Sequence, residues 1–362
     1  MEIILEKAKI QFGLNLPFVI YKKPNATTIA GLFQKNDFLF EVIDFTEKGF
    51  VFASFDGSQT YIIPENQSER ISVDYNEKET EIIQKESVLP NDSARKYFEN
   101  LVSKGIQAIK NGEFSKVVLS RKETVDLVDF DWIMAFEKLA NLYPSTFAYC
   151  FYHPKVGIWM GATPEQLLKV NNNSFETIAL AGTQKETASK EVIWHTKEKE
   201  EQQYVTDYIV AKLEKVASEV LISAPYSIKA GSIWHIKTEI SGVLNSGSSL
   251  QEIIQLLHPT PAVCGFPKDK SKAFIVENEH YDRTFYTGYL GELNSSFSAD
   301  RISSHLFVNL RCMEIDFVSK HEITKVNLYM GCGITKDSVP EKEWEESINK
   351  SATMKRILDC RF

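Results

Sequence analysis

Stretches that alternate apolar and polar residues follow one another in this chain as hairpins. Residues 147–152 and 156–160 form one such pair, and residues 305–317 and 322–330 form a second. Successive side chains of a strand point to opposite faces, so this alternation predicts strands with one buried face. Hairpins join antiparallel neighbours, and the strands do not alternate strictly with helices. The pattern therefore predicts an α+β fold built on mostly antiparallel sheets.

Helices are predicted where apolar residues recur three or four positions apart. Four segments have this spacing, at residues 93–110, 131–142, 187–220 and 250–257. The N-terminal part is predicted to contain short strands at 38–43, 49–55 and 60–63. Residues 65–90 are poor in apolar side chains, and we interpret them as a linker.

The composition limits the classes of function. The chain has 362 residues, 43% of them hydrophobic, and a net charge of −8. Because nucleic-acid binders carry a basic surface, this balance argues against such a partner. The sequence has no basic leader and no apolar run of about 18 residues, so we expect a cytoplasmic protein without a membrane span. Its cysteines are expected to be reduced, at positions 150, 264, 312, 332 and 360.

Residues 330–350 read MGCGITKDSVPEKEWEESINK and follow a predicted strand. Pro340 suits the first turn of a helix. On that helix Glu343, Glu346 and Lys350 would share one face. Two carboxylates beside a glycine-rich backbone are a plausible site for Mg²⁺, which prefers oxygen ligands. A solvated helix start stabilised by acidic residues fits the same spacing.

Lys116 and Glu165 are candidate catalytic residues. Lys116 is followed by two valines in a predicted strand, where it either guards a sheet edge or points inward. An inward lysine loses solvation, which lowers its pKa and lets it act as a base. Glu165 follows a turn in MGATPEQLL. It either stabilises the first turn of a helix or lies near apolar atoms as a protonated acid.

Three further polar residues have two readings each. Glu201 lies on the hydrophilic flank of the long predicted helix, where a solvated position is the default, although it could face the core boundary. His235 in a predicted strand is usually a satisfied core residue. Arg311 is predicted to lie in an alternating strand, and an inward arginine requires an anionic partner.

These residues belong to motifs that occur in the order found in chorismate-utilising enzymes. The motifs are SKVVLSR, GATPEQLL, ALAGT, WHIKTEISG, LHPTPAVCGFP, ENEHYDR, NLRCMEI, YMGCGI and EWEESINK. From about residue 104 onward the chain resembles this family, and most closely its isochorismate synthases. The resemblance implies one large domain of two stacked sheets with surrounding helices. Residues 1–90 would be its N-terminal strand-rich part, and residues 91–362 its chorismate-binding catalytic region.

The resemblance also implies roles for the acidic and basic residues. Lys116 resembles the base that activates water for attack on ring carbon 2, and Glu165 the acid that protonates the hydroxyl leaving carbon 4. Glu201, Glu343 and Glu346 resemble the residues that hold Mg²⁺. The family has Lys-Asp before the first of these glutamates and His after it, whereas this chain has Lys197-Glu198 and Gln202. That difference leaves open whether Glu200 or Glu201 is the ligand.

The substrate-binding residues follow from the same resemblance. Arg311 and Tyr329 would contact the enolpyruvyl carboxylate, and Lys350 would add positive charge there. His235 would lie near the ring carboxylate. The full set implied is Gly182, Thr183, His235, Ala262, Leu310, Arg311, Tyr329, Gly331 and Lys350.

Lys116 together with Ala262 is similar to the water-adding branch of the family. The resemblance therefore implies an Mg²⁺-dependent isomerase that makes isochorismate for menaquinone or siderophore biosynthesis and acts as a monomer. An aminodeoxychorismate or salicylate synthase remains an alternative, and a non-catalytic chorismate-binding relative is a third.

Overall fold

The computed structural model describes residues 1–76, 91–185, 192–230, 233–295, 303–317 and 323–358. Its helices are α1 Glu2–Gly13, α2 Asp92–Lys110, α3 Trp132–Leu142, α4 Thr196–Leu213, α5 Leu250–Leu257, α6 Lys268–Asn278 and α7 Pro340–Lys355. Its strands up to residue 171 are β1 Phe18–Lys22, β2 Thr28–Gln34, β3 Phe40–Glu41, β4 Gly49–Ala53, β5 Thr60–Pro64, β6 Ser68–Asp74, β7 Lys116–Val128, β8 Phe147–His153, β9 Gly157–Thr163 and β10 Gln166–Asn171. The later strands are β11 Ser174–Lys185, β12 Ala217–Ile222, β13 Tyr226–Ala230, β14 Ile233–Leu244, β15 Gly265–Phe266, β16 Tyr289–Leu293, β17 Ser303–Val308, β18 Cys312–Phe317 and β19 Ile323–Ile334.

The strands form two sheets, and the predicted α+β class is confirmed. The first sheet has nine strands in the order β15-β7-β19-β18-β9-β8-β1-β2-β6. The second has ten, in the order β12-β14-β11-β10-β17-β16-β4-β5-β3 with β13 also beside β14. The pairings between described strands are antiparallel, for example β7 with β19 and β11 with β14. The N-terminal strands contribute to both sheets.

Aromatic side chains fill the space between the sheets. Phe52 of the second sheet stacks on Phe151 of the first, with ring centroids 4.4 Å apart. Phe147 and Phe307 make an equivalent contact at 4.4 Å. Large buried rings contribute most to the stability of such a core. Helices cover the outer faces: α1 and α3 pack on the first sheet, α4 and α5 on the second, and α2 and α7 on β7 and β19.

The chain passes from one sheet to the other at two neighbouring places. Residues 164–165 connect β9 to β10, and residues 309–311 connect β17 to β18. The two crossovers are hydrogen-bonded side by side: the Val308 N–H donates to the Glu165 carbonyl at 2.9 Å, and the Ala162 N–H donates to the Arg311 carbonyl at 3.0 Å. Glu165 and Arg311 are therefore held next to each other.

The crossovers correct two predictions. Residues 305–317 are not one strand, because Leu310 and Arg311 interrupt them and Arg311 has a φ of 48°, which a strand residue does not adopt. Residues 305–317 and 322–330 are therefore not a simple hairpin; only β18 and β19 pair. The helix considered after Glu165 is wrong, since β10 follows directly.

Predictions for the rest of the chain agree in part. The helices at α2, α3 and α5 and the hairpin of β8 and β9 lie where the periodicity predicted them. The predicted helix at 187–220 is shorter, because α4 is followed by edge strand β12, and its first residues lie outside the described part. The predicted linker contains β6, which pairs with β2. Helix α1 was not predicted.

Among the described residues, no helix combines the length and the apolar character needed to cross a bilayer. The four described cysteines, at positions 150, 264, 312 and 332, are free and buried.

Candidate active site

Lys116 is the first residue of β7, and its side chain is fully buried. The strand lies inside the first sheet between β15 and β19, so the sheet-edge reading of Lys116 is wrong. The Lys116 ammonium lies 3.1 Å from Glu201 Oε1. Glu201 comes from α4, and its side chain is 13% exposed, whereas its neighbour Glu200 is exposed. Of these two glutamates, Glu201 is therefore the one that faces the interior.

A glycine makes room for this ion pair. A Cβ atom at Gly333 would lie 2.2 Å from Glu201 Oε1 and 3.3 Å from Lys116 Cε. Strand β19 runs beside β7, so the absent side chain opens a space where a carboxylate can lie against the backbone. Gly331 and Gly333 both lie within this strand, and the Gly-x-Gly sequence allows close approach of other groups to its backbone.

Glu165 lies in the crossover between the sheets and is 5% exposed. Burial raises the pKa of this carboxyl to about 7, and the charges of Lys116, Arg311 and Lys350 oppose that rise. A substantial fraction of Glu165 is therefore protonated at neutral pH. Glu165 and Lys116 are almost fifty residues apart in the sequence, yet they lie close enough in space for their charges to interact.

Two glutamates and a lysine line one face of α7, as their spacing predicts. Glu343 is 1% exposed, and its Oε1 accepts a hydrogen bond from Lys197 Nζ at 2.6 Å. Burial and the nearby charge of Glu346 raise the pKa of Glu343 to about 7. Burial also acts on Glu346, but the ammonium of Lys350 at 2.7 Å lowers the pKa of Glu346 below its usual value. The alternative of a solvated helix start is therefore wrong for these residues.

Arg311 and Lys350 add positive charge to the same pocket. Both line it, together with Glu165, Glu201 and Glu346. Lys350 donates to the Gly331 carbonyl at 2.7 Å. Burial lowers the pKa of Arg311, and in the described part of the chain no carboxylate lies within 4 Å of its guanidinium. An incoming anion could therefore bind Arg311 without displacing another carboxylate.

His235 lies on β14 beside the bulge at Gly182. Its Nδ1–H donates to the Gly182 carbonyl at 3.1 Å, and Gly182 adopts a φ of 71° that favours glycine. Burial, Arg311 and Lys350 lower the pKa of His235 to about 3, so the ring is neutral. Thr183 pairs with His235 across the two strands.

The pocket gathers most of the residues that the sequence predicted. Those that line it are Glu165, Gly182, Glu201, His235, Ala262, Leu310, Arg311, Tyr329, Gly331, Glu346 and Lys350. Lys116 and Glu343 do not line the pocket themselves, but each is close to a residue that does. The Lys116 ammonium lies 3.1 Å from Glu201, and carboxylate oxygens of Glu343 and Glu346 lie within 4.8 Å of each other. Tyr329 presents its ring between Trp159 and Tyr286, at 5.4 Å from each, while its hydroxyl donates to Glu314 at 2.9 Å.

Several residues around the pocket were not predicted. Arg283 donates to both carboxylate oxygens of Glu279, at 2.8 and 2.5 Å, and to the carbonyls of Val118 and Val263 at 2.7 and 3.0 Å. Both valines line the pocket. The spacing of four residues between Glu279 and Arg283 gave no signal, because α6 ends at Asn278 and the two residues do not share a helix. Lys197 was noted only as part of a departure from the family, because nothing in the sequence connects it to Glu343.

The acidic residues suit a hard divalent cation. Oxygen atoms of Glu343 and Glu346, together with Cys332 Sγ, lie within 4.8 Å of one another. Glu343 Oε2 is buried and has no hydrogen-bond partner among the described residues. Burial keeps the pKa of the Cys332 thiol well above its usual value, so this sulfur is a poor ligand. Carboxylate ligands of this kind are typical of Mg²⁺ and Mn²⁺ sites.

Comparison with known proteins identifies related chains. A family model described as "Chorismate binding enzyme" matches residues 53–359. Isochorismate synthase EntC of Escherichia coli is 30% identical over 275 residues, which cover 72% of this chain and 66% of that protein, just under two thirds of its length. Isochorismate synthase DhbC of Bacillus subtilis is 28% identical over 317 residues, 82% of this chain and 76% of that protein.

A solved structure has the same fold. It is the crystal structure of DhbC from Bacillus anthracis. The TM-score is 0.77, the identity is 22%, and the match covers 97% of this chain and 99% of the other. At this identity the likeness concerns the fold alone.

Replacing Gly333 by alanine tests the arrangement around Glu201. The new Cβ would displace the flexible end of the Glu201 side chain from buried Lys116, so a loss of stability is expected. If Glu201 holds a cation, manganese binding, followed by isothermal titration, is expected to weaken about tenfold or more. In Gly13→Ala a Cβ meets no atom within 4 Å, and this control should bind as the wild type does. Unchanged binding by Gly333→Ala would contradict this account of Glu201.

Proposed function

Because the chain belongs to the chorismate-binding enzyme family, we propose that it is an isochorismate synthase that converts chorismate to isochorismate. The observation that carries this proposal is the position of Glu165. Glu165 lines the same pocket as Glu201, which is paired with Lys116. Burial raises the pKa of the Glu165 carboxyl to about 7. A base and a protonated acid at one pocket fit a displacement of one hydroxyl by another.

The pocket suits a dianion. Chorismate carries two carboxylates, and an acidic protein must gather local positive charge to bind it. We assign Arg311 and Lys350 to the enolpyruvyl carboxylate, with Tyr329 and the Gly331 backbone beside them. The guanidinium of Arg311 has no carboxylate within 4 Å among the described residues. The neutral ring of His235 adds a polar group without a competing charge.

The reaction needs one proton taken and one given. Lys116 would remove a proton from water as the oxygen bonds to ring carbon 2. The double bonds shift, the bond from carbon 4 to its hydroxyl breaks, and Glu165 would protonate the leaving oxygen. The product is an isomer, since one water is added and one is lost. Lys116 must first lose a proton to solvent, because an ammonium cannot accept one, and the resulting neutral amine no longer forms an ion pair with Glu201.

Glu201, Glu343 and Glu346 would hold Mg²⁺. The cation, when bound, supplies positive charge that orients the ring carboxylate. The free, buried Oε2 of Glu343 and its closeness to Glu346 support this assignment. Ala262 at the pocket wall supports the water-adding branch over an amine-adding one. We further propose a monomeric cytoplasmic enzyme whose product enters menaquinone or siderophore biosynthesis.

Product analysis tests the proposed reaction. The purified protein is incubated with chorismate and Mg²⁺, with and without ammonium, and the products are separated by chromatography and weighed. We expect a product with the mass of chorismate that requires Mg²⁺ and ignores ammonium. An aminated product or released pyruvate would instead indicate an aminodeoxychorismate or salicylate synthase. Chorismate binding without turnover would indicate a non-catalytic relative.

Lys116→Gln is expected to bind chorismate and to lose turnover by a factor on the order of 10²–10⁴, since it removes the base. Binding is measured by titration calorimetry and turnover by product formation. Lys122→Gln changes an exposed lysine of the same strand and should keep wild-type turnover. Near-normal turnover of Lys116→Gln would exclude Lys116 as the base.

The pH dependence should report Glu165. Above its pKa of about 7 the carboxyl is ionised and has no proton to donate. We therefore expect the plot of log kcat/KM against pH, which reflects the free enzyme, to bend downward at about pH 7, its slope falling by about one as the carboxyl ionises. Glu165→Gln should be inactive at every pH rather than shifted. A plot without a bend between about pH 6 and about pH 8 would exclude Glu165 as the acid.

A further inference from the structure

Each glutamate assigned to the cation is paired with a lysine in this structure. The three ion pairs are Lys116–Glu201 at 3.1 Å, Lys197–Glu343 at 2.6 Å and Lys350–Glu346 at 2.7 Å. A cluster of carboxylates that is partly or fully buried is unfavourable without positive charge nearby. The lysines supply this charge, so the acidic cluster can remain folded without a metal.

Lys197 differs from the other two lysines. Lys116 and Lys350 already have proposed roles: Lys116 is the base, and Lys350 contacts the substrate. Lys197 does not line the pocket, and Glu343 is the residue to which its ammonium donates. Its side chain is 26% exposed, while that of Glu343 is 2% exposed. Lys197 therefore reaches from the surface to the innermost carboxylate of the cluster.

The two oxygens of the Glu343 carboxylate differ in their hydrogen bonding. Oε1 accepts from Lys197, while Oε2 is buried and has no hydrogen-bond partner among the described residues. A divalent cation that approached Glu343 and Glu346 would meet the positive charge of Lys197 at close range. Like charges at such distances repel strongly where water is largely excluded.

We propose that Lys197 competes with the divalent cation for Glu343 and thereby sets how tightly the site binds metal. The inference rests on the proposed function only in taking Glu343 as a metal ligand. In the metal-free protein Lys197 neutralises Glu343 and stabilises the fold. When metal binds at Glu343, the positive charge of Lys197 opposes it, and part of the binding free energy is lost.

Manganese binding without chorismate tests the competition. Lys197→Met keeps most of the side-chain volume and removes the charge. We expect its dissociation constant for Mn²⁺, measured by electron paramagnetic resonance, to be lower than that of the wild type by about tenfold or more, because a close, desolvated ion pair no longer opposes binding. Without metal the variant should melt at a lower temperature than the wild type, and saturating Mn²⁺ should raise its melting temperature by more.

Two further variants separate competition from a general charge effect. Lys199→Met removes a charge from an exposed residue of the same helix and should bind Mn²⁺ as the wild type does. Lys197→Arg keeps the charge and should stay close to the wild type. If Lys197→Met does not fold without metal, Lys197→Gln is purified with Mg²⁺, stripped and titrated in its place.

The outcomes are distinct. Equal or weaker Mn²⁺ binding by the Lys197 variants, or an equal gain in Lys199→Met, would overturn the proposal. Absence of Mn²⁺ binding in the wild type would also overturn it. Because chorismate is not used, tighter binding by Lys197→Met supports the proposal even if the protein fails to make isochorismate.

Discussion

Buried charge that must be compensated is the constraint on which the rest of this structure depends. An isolated ion in a protein interior costs several kcal/mol, so each carboxylate of the pocket needs a cation nearby. The partners come from distant parts of the chain: Lys116 on β7 meets Glu201 on α4, and Lys197 on α4 meets Glu343 on α7. These ion pairs form only when the first sheet and the two helices are assembled in one arrangement. The fold and the chemistry of the site are therefore specified together.

The backbone makes this arrangement possible at two points. The side-by-side crossovers between the sheets bring Glu165 and Arg311 to one pocket, and Arg311 has a positive φ at this point. Gly333 leaves space for Glu201 beside Lys116. At the pocket wall, Arg283 donates hydrogen bonds to the carbonyls of both Val118 and Val263. The charged groups of the pocket are thus held by regular structure and short connections, as precise positioning requires.

The sequence predicted the strands and helices better than the way they are connected between the two sheets. Period-two alternation identified the antiparallel strands, and helical spacing put Glu343, Glu346 and Lys350 on one face. Arg311 was missed as a crossover residue because apolar alternation continues on both sides of it, through β17 and β18, and nothing local marks the change of sheet. Helix α1 was missed because the large apolar side chains of Ile3, Ile10 and Leu14 are exposed. Apolar residues in this segment are therefore not confined to the buried face, and the helical periodicity is weak.

The site could be predicted residue by residue but not pair by pair. The local sequence allowed two readings of Lys116, at a sheet edge or pointing inward. The structure distinguishes them, because β15 lies beyond β7 and β7 is therefore not an edge strand. The partnership of Lys197 with Glu343 joins residues 146 positions apart, and sequence spacing holds no information about it. Such long-range contacts depend on how the sheets and helices pack.

In the proposed reaction, a base and an acid at one pocket exchange a hydroxyl on carbon 4 for a hydroxyl from water on carbon 2. Running the reaction in water enriched in oxygen-18 shows where the new hydroxyl comes from. One heavy oxygen per product molecule is expected, located at carbon 2. A product without heavy oxygen would mean that the hydroxyl migrates within the substrate, and it would contradict the roles given to Lys116 and Glu165.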